Sequence, residues 1–310
     1  RIAGIYYNCL VRLPACRQAG FAPFGARNDA VKLIHTFHGH VFEGYFNCFF
    51  TKIFILIEKV LACFTDKIIT VSEEVKKELV SLGIAKADKI AVIPLGFGLE
   101  RFLGVDVLDS PVKPGNDRGG VGIVGRLAPV KNHRLFLEAA ARIIKENPQL
   151  KARFKIIGDG ELRGELEEYA RKLKIEPWVE FVGWQRDLPA VYSDLDVVCL
   201  TSLNEGTPVS LIEAMACARV VVATEVGGVP DLLGEVVEER DGFTIRERGI
   251  SSKPKDTQGF ARALAFILAD PEARKSLAQA AREYVKTVFS KERLVRDTET
   301  MYCNLVLTKV

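Results

Sequence analysis

A short polar turn at 204–208 separates an apolar run from a helical pattern, and its residue types could hold a polar ligand. The run at 196–200 is typical of a strand buried on both faces. Thr207 can cap the following helix, and Pro208 suits its first position, where an amide proton would have no partner. The pattern therefore predicts a carboxylate, Glu205, beside a helix N-terminus at the carboxyl end of a strand. Open α/β sheets bind ligands there, and helix N-termini attract anions.

A second carboxylate, Glu213, lies on the same predicted helix between apolar neighbours. A carboxylate that faces inward needs hydrogen-bond donors, because burying it without partners is energetically expensive. Sugar hydroxyls would serve as those donors. The alternative is that Glu205 is a solvated loop residue and that Glu213 pairs with a lysine or arginine, as isolated glutamates commonly do.

Three other predicted strands end in residues suited to an anionic ligand. Gly125 and Arg126 follow the strand at 122–124, and Lys131 comes shortly after them. Arginine can hold phosphate oxygens with two hydrogen bonds and lysine acts as a point charge, although exposed basic residues around a turn are the alternative. At the next strand end, Gly158, Asp159 and Gly160 admit a close backbone approach because glycine has no side chain. At the last, Gly183 and Trp184 could present backbone groups to a base.

The strand ends of one parallel sheet share one edge, so these four loops are expected to converge. One site that holds a diphosphate, a ribose and a base accounts for all four together.

Length and composition indicate a globular protein with two domains. The chain has 310 residues, of which 48% are hydrophobic and 27% charged. The formal net charge of +3 is too small to indicate a nucleic-acid partner. The seven cysteines are scattered without a Cys-x-x-Cys pair, which fits a reducing cytoplasm better than a disulfide scaffold.

Strand and helix patterns alternate five times between 121 and 224, which predicts a parallel sheet with helices on both faces. The segment 105–120 is rich in glycine, proline and aspartate and predicts a linker. We therefore expect an N-terminal domain at 1–104 and a C-terminal domain at 121–290.

The N-terminal domain shows strand patterns at 31–36, 67–71 and 89–93. Glycines and prolines interrupt every helical period in residues 1–30, so that stretch is predicted to be irregular. The first residue is arginine and no signal-peptide pattern follows, so we expect the natural start of the sequence to be missing.

The most apolar stretch of the chain, 45–64, is interrupted by Lys52, Glu58 and Lys59. These charges argue against a membrane span and favour a helix that is mostly buried. A helix lying on a membrane surface is the alternative.

Three of the four histidines, His35, His38 and His40, fall close together. They suggest a metal site, but alternation along a strand would place them on opposite faces, and no cysteine or carboxylate cluster accompanies them. Structural histidines, with one at a cleft, are the favoured interpretation, and no metal site is predicted.

These ordered segments resemble glycosyltransferase family 4 (group 1), a large family of retaining, sugar-nucleotide-dependent enzymes with the GT-B fold. The resemblance is strong over 121–231, the C-terminal domain of that family, and covers about 31–300 in all. The segments that carry it are Gly125-Arg126-Leu127 with Lys131, Gly158-Asp159-Gly160, Phe181-Val182-Gly183, Glu205 to Pro208, Glu213 to Ala216, Ala223-Thr224, Gly227 to Asp231 and, more weakly, Thr36 to Gly39 and Val71 to Gly96.

The resemblance implies an α/β chain of two Rossmann-like domains whose parallel sheets face each other across a cleft. The N-terminal domain would be the acceptor side, and the helix at 291–310 would return to it. The family's first strand and glycine-rich loop have no counterpart in 1–30, so this domain is expected to be incomplete. Ala218 and Val220 stand where glycine and proline are common in the family.

The resemblance also implies roles for single residues. Arg126 and Lys131 would bind the donor diphosphate and neutralise charge on the leaving group, so no metal or other cofactor is required. Glu213 would hold the ribose, Glu205 would face the transferred sugar, and His38 would lie across the cleft. The implied catalytic residues are His38, Glu205, Arg126 and Lys131. The implied donor site comprises Gly125, Arg126, Lys131, Gly158, Gly160, Gly183, Trp184, Glu205, Gly206, Thr207, Pro208, Val209 and Glu213.

The implied function is retaining transfer of a sugar from a nucleotide-sugar, a UDP-sugar above all, to a glycan or lipid-linked acceptor. Such an enzyme would work in polysaccharide biosynthesis, in the cytoplasm or at the inner face of the membrane. A non-catalytic nucleotide-sugar-binding protein and a GT-B epimerase are the alternatives. A nicotinamide dehydrogenase is disfavoured, because Gly122 and Gly125 do not continue into a Gly-x-Gly-x-x-Gly turn.

Overall fold

The computed structural model describes residues 9–13, 32–37, 48–104, 120–150 and 152–307. These residues form two compact α/β units. The first contains the described residues of 1–96 and 291–310, and the second those of 97–290.

The first unit is built on a four-stranded sheet in chain order. Its elements are β1 (Cys9–Leu13), β2 (Lys32–Phe37), α1 (Cys48–Phe64), β3 (Lys67–Thr70), α2 (Glu73–Ser81) and β4 (Ile90–Val92). β2, β3 and β4 are parallel, as the family resemblance implied, and β1 pairs with β2 in the antiparallel sense. The prediction that residues 1–30 are irregular is therefore wrong for β1, which is ordered by pairing with β2 and not by a local pattern.

Helix α1 is less buried than predicted. One side packs on the sheet through Ala62, and Phe54 and Ile55 lie against the same core. The opposite side exposes large apolar side chains: Phe50, Ile53, Leu56, Ile57, Val60, Leu61 and Phe64. The expectation of a mostly buried helix is wrong, because the described part of this unit covers only one side of α1. In the described ranges every helix is too short or too polar to cross a membrane.

The C-terminal helix, Lys291–Leu307, packs on the other face of this sheet, where Leu294 and Met301 contact a core that includes Ile34. The buried Arg293 holds the helix in place, since its Nη2 donates hydrogen bonds to the carbonyls of Pro94 and Leu95, both at 2.7 Å.

The second unit is one eight-stranded sheet with helices on both faces. Its strands are β5 (Gly120–Val124), β6 (Arg153–Ile157), β7 (Val179–Gly183), β8 (Val197–Leu200), β9 (Val220–Thr224), β10 (Val236–Arg240), β11 (Phe243–Arg246) and β12 (Gly249–Ser252). Its helices are α3 (Glu100–Leu103), α4 (His133–Glu146), α5 (Arg163–Lys172), α6 (Leu188–Ser193), α7 (Val209–Ala216), α8 (Val229–Leu233), α9 (Thr257–Ala269) and α10 (Pro271–Val288).

The strand order is β10-β11-β12-β9-β8-β5-β6-β7, and strands β5 to β9 are parallel, which confirms the predicted sheet. The hairpins of β10 to β12 were not predicted, because β10 is exposed at every residue and has no alternating apolar pattern. The predicted domain boundary at residue 104 lies inside this unit, since Leu99 and Phe102 belong to its core.

Candidate functional site

The carboxyl ends of β5, β6 and β7 are joined to one another through their loops. The amide of Gly125 donates to the carbonyl of Ile157 at 2.9 Å, and that of Gly158 to the carbonyl of Gly183 at 2.9 Å. Gly158 has a φ of +133°, and a Cβ there would lie 2.0 Å from the Gly125 carbonyl oxygen. This glycine is thus required by the close contact of two loops, a reason that the sequence alone did not reveal.

Lys131 and Glu205 meet at this edge of the sheet. Lys131 Nζ lies 2.5 Å from Glu205 Oε1, although the two residues come from the loops after β5 and β8. Ser202 Oγ donates a hydrogen bond to the same carboxylate oxygen at 2.6 Å. The side chain of Glu205 is only 10% exposed and that of Lys131 28%, so the pair is partly withdrawn from solvent.

Hydrogen bonds from buried hydroxyls and from one backbone amide hold these two loops in place. Thr201 Oγ1 donates to the carbonyl of Lys131 at 2.9 Å, and the amide of Leu203 donates to the carbonyl of Val130 at 2.8 Å. Thr224 Oγ1 donates to the carbonyl of Ser202 at 2.7 Å. Sequence reasoning missed Thr201 and Ser202, although buried hydroxyls directly after an apolar strand were a signal for them.

Arg126 lies on the same edge with a different environment. Its side chain is exposed, and it makes no ion pair with any residue in the described ranges. Arg163, which the sequence did not single out, instead donates to the carbonyl of Phe181 at 3.2 Å and pairs with Glu167 at 2.9 Å. Arg126 is therefore the guanidinium available to a ligand, whereas Arg163 supports the loop after β7.

Glu213 faces Tyr192 and not a lysine or arginine. The Tyr192 hydroxyl on α6 donates to Glu213 Oε2 on α7 at 2.9 Å. Burial raises the pKa of the Glu213 carboxyl above its ordinary value, and the Tyr192 hydrogen bond opposes part of that rise. The donor for this carboxylate was not predicted, because a tyrosine on another helix has no sequence signature.

Helix α7 begins one position later than predicted. Its N-cap residue is Pro208 and no side chain caps it, so the prediction that Thr207 is the cap is wrong. The preceding Gly206 accepts a hydrogen bond from the amide of Gly228 at 3.1 Å, which fixes the turn from outside the helix. Trp184, directly after β7, is 71% exposed, and Val209, the first residue of α7, is 38% exposed, so both are open to solvent.

The histidines fall into different environments. His133, at the start of α4, is 1% exposed, and neither ring nitrogen has a hydrogen-bond partner in the described part of the chain. Burial, followed by the charge of Lys131, lowers the pKa of His133 to about 4. His35 is buried on β2 with Nδ1 3.6 Å from Glu58 Oε2, and burial lowers its pKa.

His38 and His40 lie outside the described residues, so the role predicted for His38 stays a prediction. Among the residues that are described, no three His, Cys, Asp or Glu side chains are grouped closely enough to hold a metal ion. The guanidinium of Arg126, the ammonium of Lys131 and the carboxylate of Glu205 follow strands of this one sheet, and together they suit an anionic ligand that also carries hydroxyl groups.

Two family models match the chain. The model described as Glycosyl transferases group 1 matches residues 118–270, and Glycosyltransferase Family 4 matches residues 15–101. The chain is 28% identical to the UDP-Gal:alpha-D-GlcNAc-diphosphoundecaprenol alpha-1,3-galactosyltransferase of Escherichia coli, over 89% of this chain and 70% of that protein. It is 31% identical to the D-inositol 3-phosphate glycosyltransferase of Kribbella flavida, over 71% of this chain and 52% of that protein.

The chain thus spans about half the length of several curated relatives that it matches. Among solved structures, Anabaena Alr3699/HepE in complex with UDP superposes with a TM-score of 0.73 at 22% identity, over 88% of this chain and 72% of that one. The sucrose-phosphate synthase of Thermosynechococcus elongatus also gives 0.73, at 24% identity, over 89% of this chain and 68% of that one. These likenesses show the GT-B fold predicted from the sequence. With both family models matching and the fold shared, the chain belongs to the group 1 glycosyltransferases, as its motifs predicted.

Proposed function

We propose that the protein is a retaining glycosyltransferase that moves a sugar from a UDP-sugar to a glycan or lipid-linked acceptor in polysaccharide biosynthesis. The observation that carries this proposal is the meeting of Lys131 and Glu205 at the sheet edge where Arg126 is free. Two cations and a carboxylate at one place match a diphosphate joined to a hydroxyl-bearing ring. The family of the chain supports the reaction class.

The donor diphosphate would lie against Arg126 and Lys131. Two positive charges placed at the departing diphosphate stabilise its negative charge in the transition state, so the reaction would need no metal. The E. coli relative is named for UDP-Gal, and HepE was solved with UDP. These names support uridine as the nucleoside. Its base would lie beside Gly183 and Trp184.

The two carboxylates would divide the rest of the donor between them. Glu213 has one oxygen bonded to Tyr192, which leaves Oε1 for the ribose hydroxyls. Glu205 has Oε1 bonded to Lys131 and Ser202, which leaves Oε2 for the transferred sugar. The backbone from Gly206 to Val209 would approach the same sugar.

The exposed apolar side of α1 supports an acceptor that is lipid-linked and reached at a membrane surface. Leu56 and Phe64 on that side are 63% and 61% exposed, and Lys52 on the same helix is exposed as well. A helix with an apolar side and nearby lysines binds anionic lipid surfaces. We expect the protein to bind phosphatidylglycerol vesicles, and Leu56→Glu with Val60→Glu to abolish that binding. Val295→Glu, an exposed control in the same unit, should not; equal binding by all three proteins would contradict the proposal.

The central experiment measures the release of UDP, GDP and ADP from their sugar conjugates, with and without glycan and lipid-linked acceptors. We expect acceptor-dependent release of UDP, with the anomeric configuration of the donor retained in the product by NMR. Glu205→Ala should remove this activity, whereas Glu176→Ala, an exposed control, should retain it. Conversion of donor without acceptor would indicate an epimerase, and UDP binding without turnover a binding protein.

A further inference from the structure

The carboxylate of Glu205 is shared between two donors from the protein. Its Oε1 accepts both the Lys131 ammonium at 2.5 Å and the Ser202 hydroxyl at 2.6 Å. Within the described ranges Oε2 has no hydrogen-bond partner, so one oxygen holds the protein contacts and the other is free. Lys131 is therefore neutralised by a carboxylate at the place where the proposed function requires a cation for phosphate.

Lys131 cannot fully serve both partners. An ammonium that stays against Glu205 contributes little charge to a diphosphate, and a carboxylate next to the diphosphate repels it. If Lys131 turns to the diphosphate, Glu205 loses the cation that pairs with it. The side chain of Glu205 is only 10% exposed, so water solvates its carboxylate poorly and another hydrogen-bond donor is needed. Ser202 is the donor already in place.

Hydrogen bonds to buried neighbours fix the backbone at Ser202. Ser202 and Thr201 are both fully buried, and the Ser202 carbonyl accepts the Thr224 hydroxyl at 2.7 Å. The amide of Leu203, the next residue, is bonded to Val130 at 2.8 Å. Because these bonds hold its backbone, the Ser202 hydroxyl keeps its place when the flexible lysine side chain moves.

We propose that Lys131 exchanges partners when donor binds, leaving Glu205 for the diphosphate, while Ser202 acts as the positioning residue that keeps Glu205 aimed at the transferred sugar. This inference rests on the proposed function and adds to it a ligand-dependent change in one ion pair. A ligand must displace the Glu205 carboxylate before it can bind the Lys131 ammonium. This requirement favours the binding of diphosphates over the binding of weaker anions.

The first test is a crystal structure of the protein with UDP. We expect Lys131 Nζ within hydrogen-bonding distance of a phosphate oxygen and no longer in contact with Glu205, with the Ser202 to Glu205 hydrogen bond retained. A UDP complex in which Lys131 still bonds Glu205 would overturn the exchange.

The second test is calorimetric binding of UDP. Glu205→Gln frees Lys131 in advance, so we expect UDP to bind about three- to tenfold more tightly than to the wild type. Glu161→Gln removes an exposed negative charge from the loop after β6 without touching Lys131, and measures the general effect of charge. An increase no larger than that of Glu161→Gln, or a weaker affinity, would refute the competition between Glu205 and diphosphate.

The third test separates positioning from a general loss of structure. Ser202→Ala should lower kcat about tenfold or more, because a hydrogen bond to a carboxylate is lost, and leave UDP affinity within about twofold. Ser252→Ala removes a buried hydroxyl that makes no hydrogen bond with any described residue, and should leave both quantities unchanged. Equal losses of kcat and UDP affinity in Ser202→Ala would show a merely structural role.

These outcomes separate the inference from the function on which it rests. A wild-type protein that neither binds UDP nor turns over any nucleotide-sugar contradicts the proposed function, and the exchange falls with it. A wild-type protein that is active, with Lys131 still on Glu205 in its UDP complex, contradicts the exchange alone.

Discussion

The hydroxyl of Tyr192 donates a hydrogen bond to the carboxylate of Glu213 at 2.9 Å, across the gap between α6 and α7. Tyr192 is fully buried, and burial together with the charge of Glu213 raises its pKa, so it remains a donor at neutral pH. One oxygen of Glu213 is thus held by the protein and the carboxylate is aimed in a single direction. The ribose contact proposed for Glu213 depends on this pairing.

Replacing Tyr192 by phenylalanine tests that dependence. Tyr192→Phe removes a donor that lowers the pKa of Glu213, so the carboxyl becomes easier to protonate. We expect UDP affinity to fall about three- to tenfold, and to fall more at pH 6 than at pH 8, because a protonated carboxyl accepts hydrogen bonds poorly. Calorimetry at the two pH values is the measurement. Phe102→Leu, which alters the apolar contact on the same tyrosine ring, is the control and should show no pH dependence.

Arg126 is expected to contribute more to donor affinity than any neighbouring cation outside the site. Arg126→Ala removes a guanidinium with no competing ion pair among the described residues, so UDP should bind about ten- to a hundredfold more weakly. The effect should shrink as salt is added, since the side chain is exposed. Arg171→Ala, an exposed arginine on α5, is the matched control. Similar affinities for the two variants would contradict the assignment of Arg126.

His133 should make the second unit less stable in mild acid. Its folded pKa of about 4 lies below its ordinary value, so the unfolded chain binds more protons between pH 6.5 and pH 4. Stability is therefore lost as pH falls through that window, by about 2 kcal/mol between pH 7 and pH 5. His133→Leu has no imidazole to protonate, so it should lose less unfolding free energy than the wild type between pH 7 and pH 5. The quantity to measure is the difference between these two losses.

Urea unfolding followed by tryptophan fluorescence makes that measurement, since both tryptophans, Trp178 and Trp184, lie in the second unit. A variant that loses as much stability as the wild type from pH 7 to pH 5 would show that other groups are responsible.

Ala218 should be improved by glycine. It follows the end of α7 with a φ of +53°, a left-handed conformation that is strained for any side chain. Ala218→Gly should raise the free energy of unfolding by about 0.5–1 kcal/mol. Ala214→Gly, inside the same helix, should lower it by about 1 kcal/mol, so the two substitutions differ in sign. Thermal unfolding of both variants gives the comparison, and a lower Tm for Ala218→Gly would contradict the strain argument.

Local patterns in the sequence were sufficient for the fold class and for the placement of Arg126, Lys131 and Glu205 after strands. Continuous apolar runs mark parallel strands, glycine and polar residues mark their ends, and parallel strand ends must share an edge. From these facts alone, the predicted cations and carboxylates belonged at one side of one sheet, and β5 to β9 confirm that sheet.

The contacts made by each side chain came from long-range packing, which no local pattern encodes. Ser202 and Lys131 share an oxygen of Glu205 because the loops after β5 and β8 are adjacent, and Tyr192 reaches Glu213 because α6 and α7 are. The strand pairing of β1, the exposed side of α1 and the late start of α7 have the same origin. Periodicity determines where a strand or helix forms, but burial and hydrogen-bond partners depend on residues distant in the chain.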